Sequence, residues 1–281
     1  MTLKVFITGA SSGIGAALAR HYAGAGATLA LTARRGAVLE EVKRELTGLG
    51  GSGGNGYSGN GSSDKASGVN LPGNQPQIEI YSADVTDGAS MTRAANAFME
   101  RYGAPDVVIA CAGVSIGVDS ALAEDLPVFK QVMDTNVFGT LATFQPFINA
   151  MKKQGKGALV GIASVAGIRG LPGSAAYSAS KSAVITYCES LRVELRGSGV
   201  DVVTIAPGYI RTPMTAGNPY PMPFLTDAPV FAARAAAAIA AGVSYRVIPW
   251  QMGVVAKIMR VLPNWLYDRL AVKAGRKPRQ H

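Results

Sequence analysis

Lys4-Val5-Phe6-Ile7-Thr8-Gly9-Ala10-Ser11-Ser12-Gly13-Ile14-Gly15 is the stretch on which the fold turns, and a helix-forming run from Ala16 to Ala23 follows it. A short apolar run, a glycine-rich turn and a helix in that order predict a β-strand, a tight loop and a helix N-terminus. Glycines at 9, 13 and 15 let the backbone turn sharply and approach a pyrophosphate, whose charge the start of a helix favours. Any tight strand-to-helix turn uses glycine, so the triplet alone is a weak signal. Its place after the first of several alternating strands strengthens it.

Outward from this unit, short apolar runs alternate with longer amphipathic segments. Lys4–Thr8, Thr28–Thr32, Gln77–Ser82, Asp106–Cys111, Gly157–Ile162 and Asp201–Ala206 read as strands, with helices between them. Strands buried on both faces lose their polar alternation. The rhythm therefore predicts an α/β fold: a single Rossmann-type doubly wound parallel sheet of about seven strands, with helices on both faces. The stretch from Gly48 to Gln77 interrupts it with ten glycines, five serines and four asparagines in thirty residues. That composition offers too little apolar surface to offset the entropy of ordering it. It reads as a flexible insertion, 48–77, at the amino edge of the sheet, whereas ligands of such folds bind beyond the carboxyl edge. The catalytic domain is expected over 1–245, and 246–281 forms a basic, apolar C-terminal extension.

The bulk properties narrow the class. A chain of 281 residues, 48% hydrophobic, can bury one substantial core. Its two cysteines, Cys111 and Cys188, lack metal-ligand or secreted-scaffold spacing, so reduced thiols and no metal site are expected. Residues 1–8 lack the parts of a signal peptide, and no apolar stretch approaches the ~20 residues that span a bilayer, which together predict a cytoplasmic protein. Of the net +9, residues 246–281 carry eight Lys and Arg against one Asp, a net of +7, which leaves +2 for the rest. The body is nearly neutral, and any anionic surface or polymer would be met by the extension.

At the end of the second strand a carboxylate would accept the adenosine ribose hydroxyls of NAD, yet the sequence there is Leu31-Thr32-Ala33-Arg34-Arg35. Two guanidiniums offer fixed donor forks suited to a ribose 2′-phosphate, which predicts NADP(H), with Ser12 assisting as a hydroxyl donor. The competing reading makes Arg34 and Arg35 a solvated helix start.

Several further motifs fall in order: Asp84-Val85 after the third strand, Asn136 in a helix, Ser164 after the fifth strand, Tyr177-Ser178-Ala179-Ser180-Lys181, and Pro207-Gly208 after the sixth. With these in view the sequence resembles the short-chain dehydrogenase/reductase family from Thr8 to about Thr212. Tyr177 and Lys181 lie four apart and share one face of a helix. A free tyrosine, with a pKa of ~10, is a poor base at neutral pH, but a nearby ammonium and an oxidised nicotinamide both favour the phenolate. The resemblance implies that Tyr177 transfers the proton between a carbonyl and an alcohol, Lys181 tunes it and binds the nicotinamide ribose, Ser164 holds the substrate oxygen, and Asn136 helps hold a water that replaces the proton. It implies cofactor contacts from Gly9, Ser11, Ser12, Gly13, Ile14 and Gly15, from Asp84 and Val85 at the adenine, from Ala112 and Gly113, from Pro207 and Gly208, and from Thr212. Taken singly, Asp84 also reads as a helix cap, Asn136 as a core amide and Ser164 as a turn residue.

One position departs from the family pattern: Cys111 stands before Ala112-Gly113 where an asparagine is usual, so a side-chain hydrogen bond is expected to be lost. Residues 209–228 fall where the family places a mobile substrate lid, and Met222 and Phe224, with Leu171 and Pro172, are candidates to cover an apolar substrate. The extension mixes Trp250, Ile258, Trp265 and other apolar residues with cations. It reads either as an anionic membrane contact or as a face that closes the pocket or a subunit interface. A homodimer or homotetramer follows from the resemblance. The rivals are a non-catalytic dinucleotide-binding sensor, which has no need of a proton-transfer residue, and a nucleic-acid binder, for which no reading motif is present.

Overall fold

Strand β1 (Lys4–Thr8) is buried on both of its faces, and the rest of the sheet is laid out from it. Val5 and Ile7 point into one core and Phe6 into another, and none of the three retains solvent-accessible surface. In this computed structural model, which describes residues 2–49, 76–273 and 276–279, seven parallel strands run in the order β3-β2-β1-β4-β5-β6-β9. These are β2 (Thr28–Ala33), β3 (Ile78–Ser82), β4 (Val107–Ala110), β5 (Gly157–Ile162), β6 (Val200–Pro207) and β9 (Tyr245–Ile248). A separate parallel pair, β7 (Ile210–Arg211) and β8 (Thr226–Asp227), ties together the two ends of the segment between them.

On one face, Val5, Ile7, Leu29 and Leu31 pack under α1 (Gly13–Gly24), α2 (Gly36–Leu49) and α7 (Ala228–Ala240). On the other, Phe6, Ala30 and Val108 pack under α3 (Gly88–Tyr102), α5 (Gly139–Gln154) and α6 (Ala175–Glu194). Phe6 is the hub of that second layer: its ring centre lies 4.8 Å from Phe147, 6.0 Å from Phe98 and 6.3 Å from Tyr81. Double-sided burial is why the strands read as unbroken apolar runs.

Successive strands step outward from β1 in one direction to β3, then from β4 in the other to β9. The reversal falls between β1 and β4, and there the connections leave the carboxyl ends of the two strands for opposite faces and open a crevice.

Two features lie outside the sequence expectations. The edge strand β9 begins at Tyr245, so the division drawn between 245 and 246 falls inside the sheet. Beyond it, α8 (Trp250–Val261) and α9 (Asn264–Lys273) follow. Residues 276–279 then lie back against the body. Arg276 pairs with Asp119 at 3.1 Å, the Lys277 ammonium donates to the Ser115 carbonyl and hydroxyl at 2.6 Å, and Arg279 grips Asp125 at 2.7 Å and also reaches Glu124. The Gly48–Gln77 insertion lies outside the described residues apart from its flanks, where α2 runs to Leu49 and Leu29 N–H donates to the Gln77 carbonyl at 2.7 Å. Among the described residues, no helix is long and apolar enough to cross a membrane.

Truncating the fully buried aromatic hub, Phe6→Ala, removes a ring in contact with three others. We expect a loss of about 3–5 kcal/mol of stability, measured by urea denaturation; a loss below about 1 kcal/mol would contradict the packing described.

Candidate active site

The crevice is built from the ends of β1 and β4. Thr8, wholly buried, closes β1 and joins the two strands: its hydroxyl donates to the Ile109 carbonyl at 3.4 Å and accepts from Cys111 N–H at 3.2 Å and Ala112 N–H at 3.4 Å. The loop that follows is folded tightly. A Cβ at Gly9, whose φ is +70°, would fall 2.7 Å from the Ala112 backbone, and one at Gly15 would fall 2.2 Å from the Gly9 carbonyl oxygen. Only glycine fits at either place, which leaves bare backbone facing the crevice where α1 begins.

The resulting cleft, of about 320 Å³, falls within the usual range for small-molecule sites. The whole glycine-loop set, Gly9, Ser11, Ser12, Gly13, Ile14 and Gly15, lines it. So do Arg34, Arg35, Asp84, Val85, Ala112, Gly113, Pro207, Gly208 and Thr212, together with Ser164, Tyr177 and Lys181. Arg34 and Arg35 are exposed at the mouth, and neither pairs with a carboxylate among the described residues. Asp84 both lines the cleft and closes a turn, accepting at 2.9 Å from the backbone N–H and the hydroxyl of Thr86. Thr212 stands over the glycine loop: its side chain lies 3.5 Å from where a Gly13 Cβ would be.

Ser164 follows β5 and caps a single 3-10 turn, Val165–Gly167, accepting from Ala166 N–H at 3.1 Å. Tyr177 and Lys181 are one turn apart on α6, with the Lys181 ammonium 5.7 Å from the Tyr177 ring centre. The ammonium is buried and donates to the Ile162 carbonyl at 2.8 Å, and burial brings its pKa down to about 8. Burial also raises the Tyr177 phenol above its ordinary value, opposed by a hydrogen bond with Ser164 and aided by the nearby Cys111 and Tyr220. Desolvation is the largest effect on the phenol. Cys111 lies in the cleft wall with its thiol pushed up to about 12 by burial. Its backbone N–H donates to the Thr8 hydroxyl.

Asn136 does not line the cleft. It sits, wholly buried, in a widened π-helical turn, Asp134–Phe138, between α4 (Leu126–Met133) and α5. Its amide oxygen accepts from Val114 N–H at 2.8 Å, and its NH₂ donates to the Val114 carbonyl and the Ser180 hydroxyl, both at 2.9 Å. The side chain therefore braces the strand leaving β4 against the helix that carries Tyr177. Extra turns of this kind often occur at functional sites.

Of the segment 209–228, Ile210, Thr212, Pro213, Met214 and Thr215 line the cleft. Met214, which the sequence reading did not single out, lines the cleft with Val114, Thr135 and Thr215. Phe224 is half exposed, with a left-handed φ of 57°, and neither it nor Met222, Leu171 or Pro172 is part of the cleft wall. Tyr220 is near enough to Tyr177 to oppose its ionisation. An aromatic hydroxyl inside a proline-rich segment was the signal available for it. Among the described residues no cluster of three or more His, Cys, Asp or Glu side chains is placed to hold a metal ion.

The comparisons agree with this geometry. A family model described as short chain dehydrogenase matches residues 3–55 and 60–220. An uncharacterised oxidoreductase of Myxococcus xanthus is 36% identical over 265 residues, 94% of each chain. Dehydrogenase/reductase SDR family member 7B of Bos taurus is 34% identical over 74% of this chain and 58% of its own. Among solved structures, levodione reductase superposes with a TM-score of 0.73 at 25% identity, over 89% of this chain and 98% of its own. A variant actinorhodin polyketide ketoreductase with NADPH gives 0.73 at 25%, over 88% and 95%. A 3-ketoacyl-(acyl-carrier-protein) reductase from Brucella melitensis complexed with NADH gives 0.72 at 23%, over 88% and 96%.

Asn136→Ala removes the side-chain partners of the part-buried Val114 N–H and carbonyl and one of the two hydrogen bonds of the Ser180 hydroxyl. We expect a stability loss of about 1–3 kcal/mol in chemical denaturation, and faster hydrogen exchange at Val114; unchanged exchange there would show that the brace is not made.

Proposed function

The chain belongs to the short-chain dehydrogenase/reductase family of oxidoreductases, and on that premise we propose that it is an NADP(H)-dependent enzyme interconverting a carbonyl and a secondary or primary alcohol. The observation that carries the reading is the meeting of Ser164, Tyr177 and Lys181 at the crevice where the strand order reverses.

The residues present fit a dinucleotide. Bare backbone at Gly9 and Gly15 gives a pyrophosphate room at the start of α1. Two exposed guanidiniums beside it, with no acceptor for ribose hydroxyls at the end of β2, favour a 2′-phosphate. The bound dinucleotide supplies or accepts the hydride. In reduction the Tyr177 phenol donates its proton to the carbonyl oxygen, which the Ser164 hydroxyl holds. In oxidation Tyr177 takes the alcohol proton, and the positive charges of Lys181 and of an oxidised nicotinamide favour its phenolate against the burial that opposes it. Lys181, fixed at the Ile162 carbonyl, would also hold the nicotinamide ribose. Asn136 acts as a positioning residue, keeping the chain after β4 and the helix of Tyr177 in register. The mostly apolar walls contributed by Val114, Ile162 and Met214 favour an apolar substrate.

Two thiols free of disulfide fit a reducing, cytoplasmic setting. The exposed Phe138 and Val193, at the start of α5 and the end of α6, fit a homodimer or homotetramer built on those helices.

NADPH oxidation, followed at 340 nm against a panel of ketones and aldehydes, tests the chemistry. Turnover with NADPH is expected to exceed that with NADH and to fall by at least ~10³-fold in Tyr177→Phe, with dinucleotide binding retained. Turnover that survives in the mutant would remove Tyr177 from the proton step.

The pH dependence has a definite sign. A phenol with a raised pKa stays protonated through neutral pH, so reductive kcat/KM should be level there and fall as Lys181 loses its charge above about pH 8. Oxidation, which needs the phenolate, should instead rise with pH. A reductive rate that climbs between pH 7 and 9 would contradict these assignments.

A further inference from the structure

Helix α8 turns its apolar side outward. Met252 and Ala256 are buried beneath it, while Trp250, Val254, Ile258 and Val261, spaced four, four and three apart, form one solvent-facing stripe. Trp250 is 68% exposed, Ile258 54% and Val261 79%, and Trp265 at the start of α9 adds a further 65%. These are the only two tryptophans in the chain, and both stand on this face. A surface helix of a protein in water ordinarily does the reverse.

The charges around the stripe are mostly positive. Lys257, Arg260 and Arg269 are exposed beside it, and Asp268 is the one acid of α8 and α9. None of the three cations pairs with a carboxylate among the described residues, whereas Arg276 and Arg279 further on are held by Asp119, Glu124 and Asp125. A two-fold contact with a second copy would set this patch against itself and bring like charges face to face. An anionic surface with an apolar interior satisfies both halves of the pattern.

The face is also held firmly. Arg169, in the segment between Ser164 and Tyr177, donates to the carbonyls of Met259 at 2.7 Å and Leu262 at 2.9 Å and to the Asn264 side chain at 3.0 Å, and its guanidinium lies 4.0 Å over the Tyr267 ring. Tyr267 in turn donates to the Gly170 carbonyl. The α8–α9 corner is thereby fastened to the loop that leads into the catalytic helix, so the exposed residues belong to a fixed platform.

We propose that this platform docks the enzyme on an anionic phospholipid surface. Trp250, Ile258, Val261 and Trp265 enter the headgroup boundary, and Lys257, Arg260 and Arg269 meet lipid phosphates. The contact is peripheral and places the loop before Tyr177 toward the lipid. It rests on the exposure of α8 and α9 alone and does not depend on the catalytic reading.

Because both tryptophans lie on the platform, intrinsic fluorescence reports on it directly. The full chain, mixed at low salt with vesicles of phosphatidylcholine containing phosphatidylglycerol, is expected to sediment with them, shift its tryptophan emission to the blue and be quenched by brominated acyl chains. Pure phosphatidylcholine should bind at least ~10-fold more weakly. Ile258→Glu/Val261→Glu changes only exposed side chains; it should keep the thermal midpoint and lose at least ~10-fold in vesicle affinity. Three outcomes overturn the proposal: no sedimentation or blue shift with anionic vesicles at low salt, equal binding by the double variant, or a fall in the oligomer mass of the double variant by light scattering, which would show that a second copy covers the face.

Discussion

The site exists because β1 and β4 pair side by side and then cannot continue together. Their register runs to Ile7 against Ile109, and one residue further the chain of each strand must leave for a different face of the sheet. The parting would strand backbone groups in a dry interior, and a single hydroxyl on Thr8 satisfies them by bonding Ile109, Cys111 and Ala112. The glycine loop presses against the same spot, with Gly9 in contact with the Ala112 backbone. What lies above is a crevice with bare N–H groups on one side and the end of β5, with Ser164, on the other. The position of every candidate functional group follows from this separation.

The electrostatics of the cleft follow from its dryness. Burial lowers the pKa of Lys181 and raises that of Tyr177, so both groups are pushed toward their neutral forms. A neutral phenol would suit a proton donor in reduction, and with a pKa of about 8 Lys181 keeps most of its charge at neutral pH. A positive charge arriving with the cofactor changes the balance, because an ammonium and a nicotinamide in a low-dielectric cleft act on a phenolate far more strongly than they would in water.

Much of this was legible in the sequence where the physics leaves a simple trace. β1 and β5 were read to their exact residues, since strands buried on both faces are unbroken apolar runs, and the glycine loop, the Tyr177–Lys181 spacing and the paired arginines each carry a local signature. The edge strand β9 was missed because Tyr245 and Arg246 are exposed and polar, as an edge permits. The π-helical turn at Asn136 was invisible because nothing in a spacing pattern marks one extra residue in a helix, and the partner of its side chain, Val114, is 22 residues away. The exposure of Phe224 was not legible either: composition says that it is apolar, but it lies half exposed with a left-handed φ, while Met214 of the same segment lines the cleft. Likewise, the cations at 276–279 were read as part of a basic extension, and only the folded chain brings Asp119, Glu124 and Asp125 against them.

That last contact bears on the order in which the molecule assembles. Arg279 and Asp125 are 154 positions apart, and Lys277 and Ser115 are 162 apart, with three strands of the central sheet lying between them in sequence. Closing so long a loop is rewarded only after β5, β6 and β9 have joined the strands made before them. The clasp is therefore a late event in folding. It fastens the segment after β4 once the sheet is complete, so a chain stalled partway would have its crevice formed and the stretch from Ser115 to Asp125 still loose.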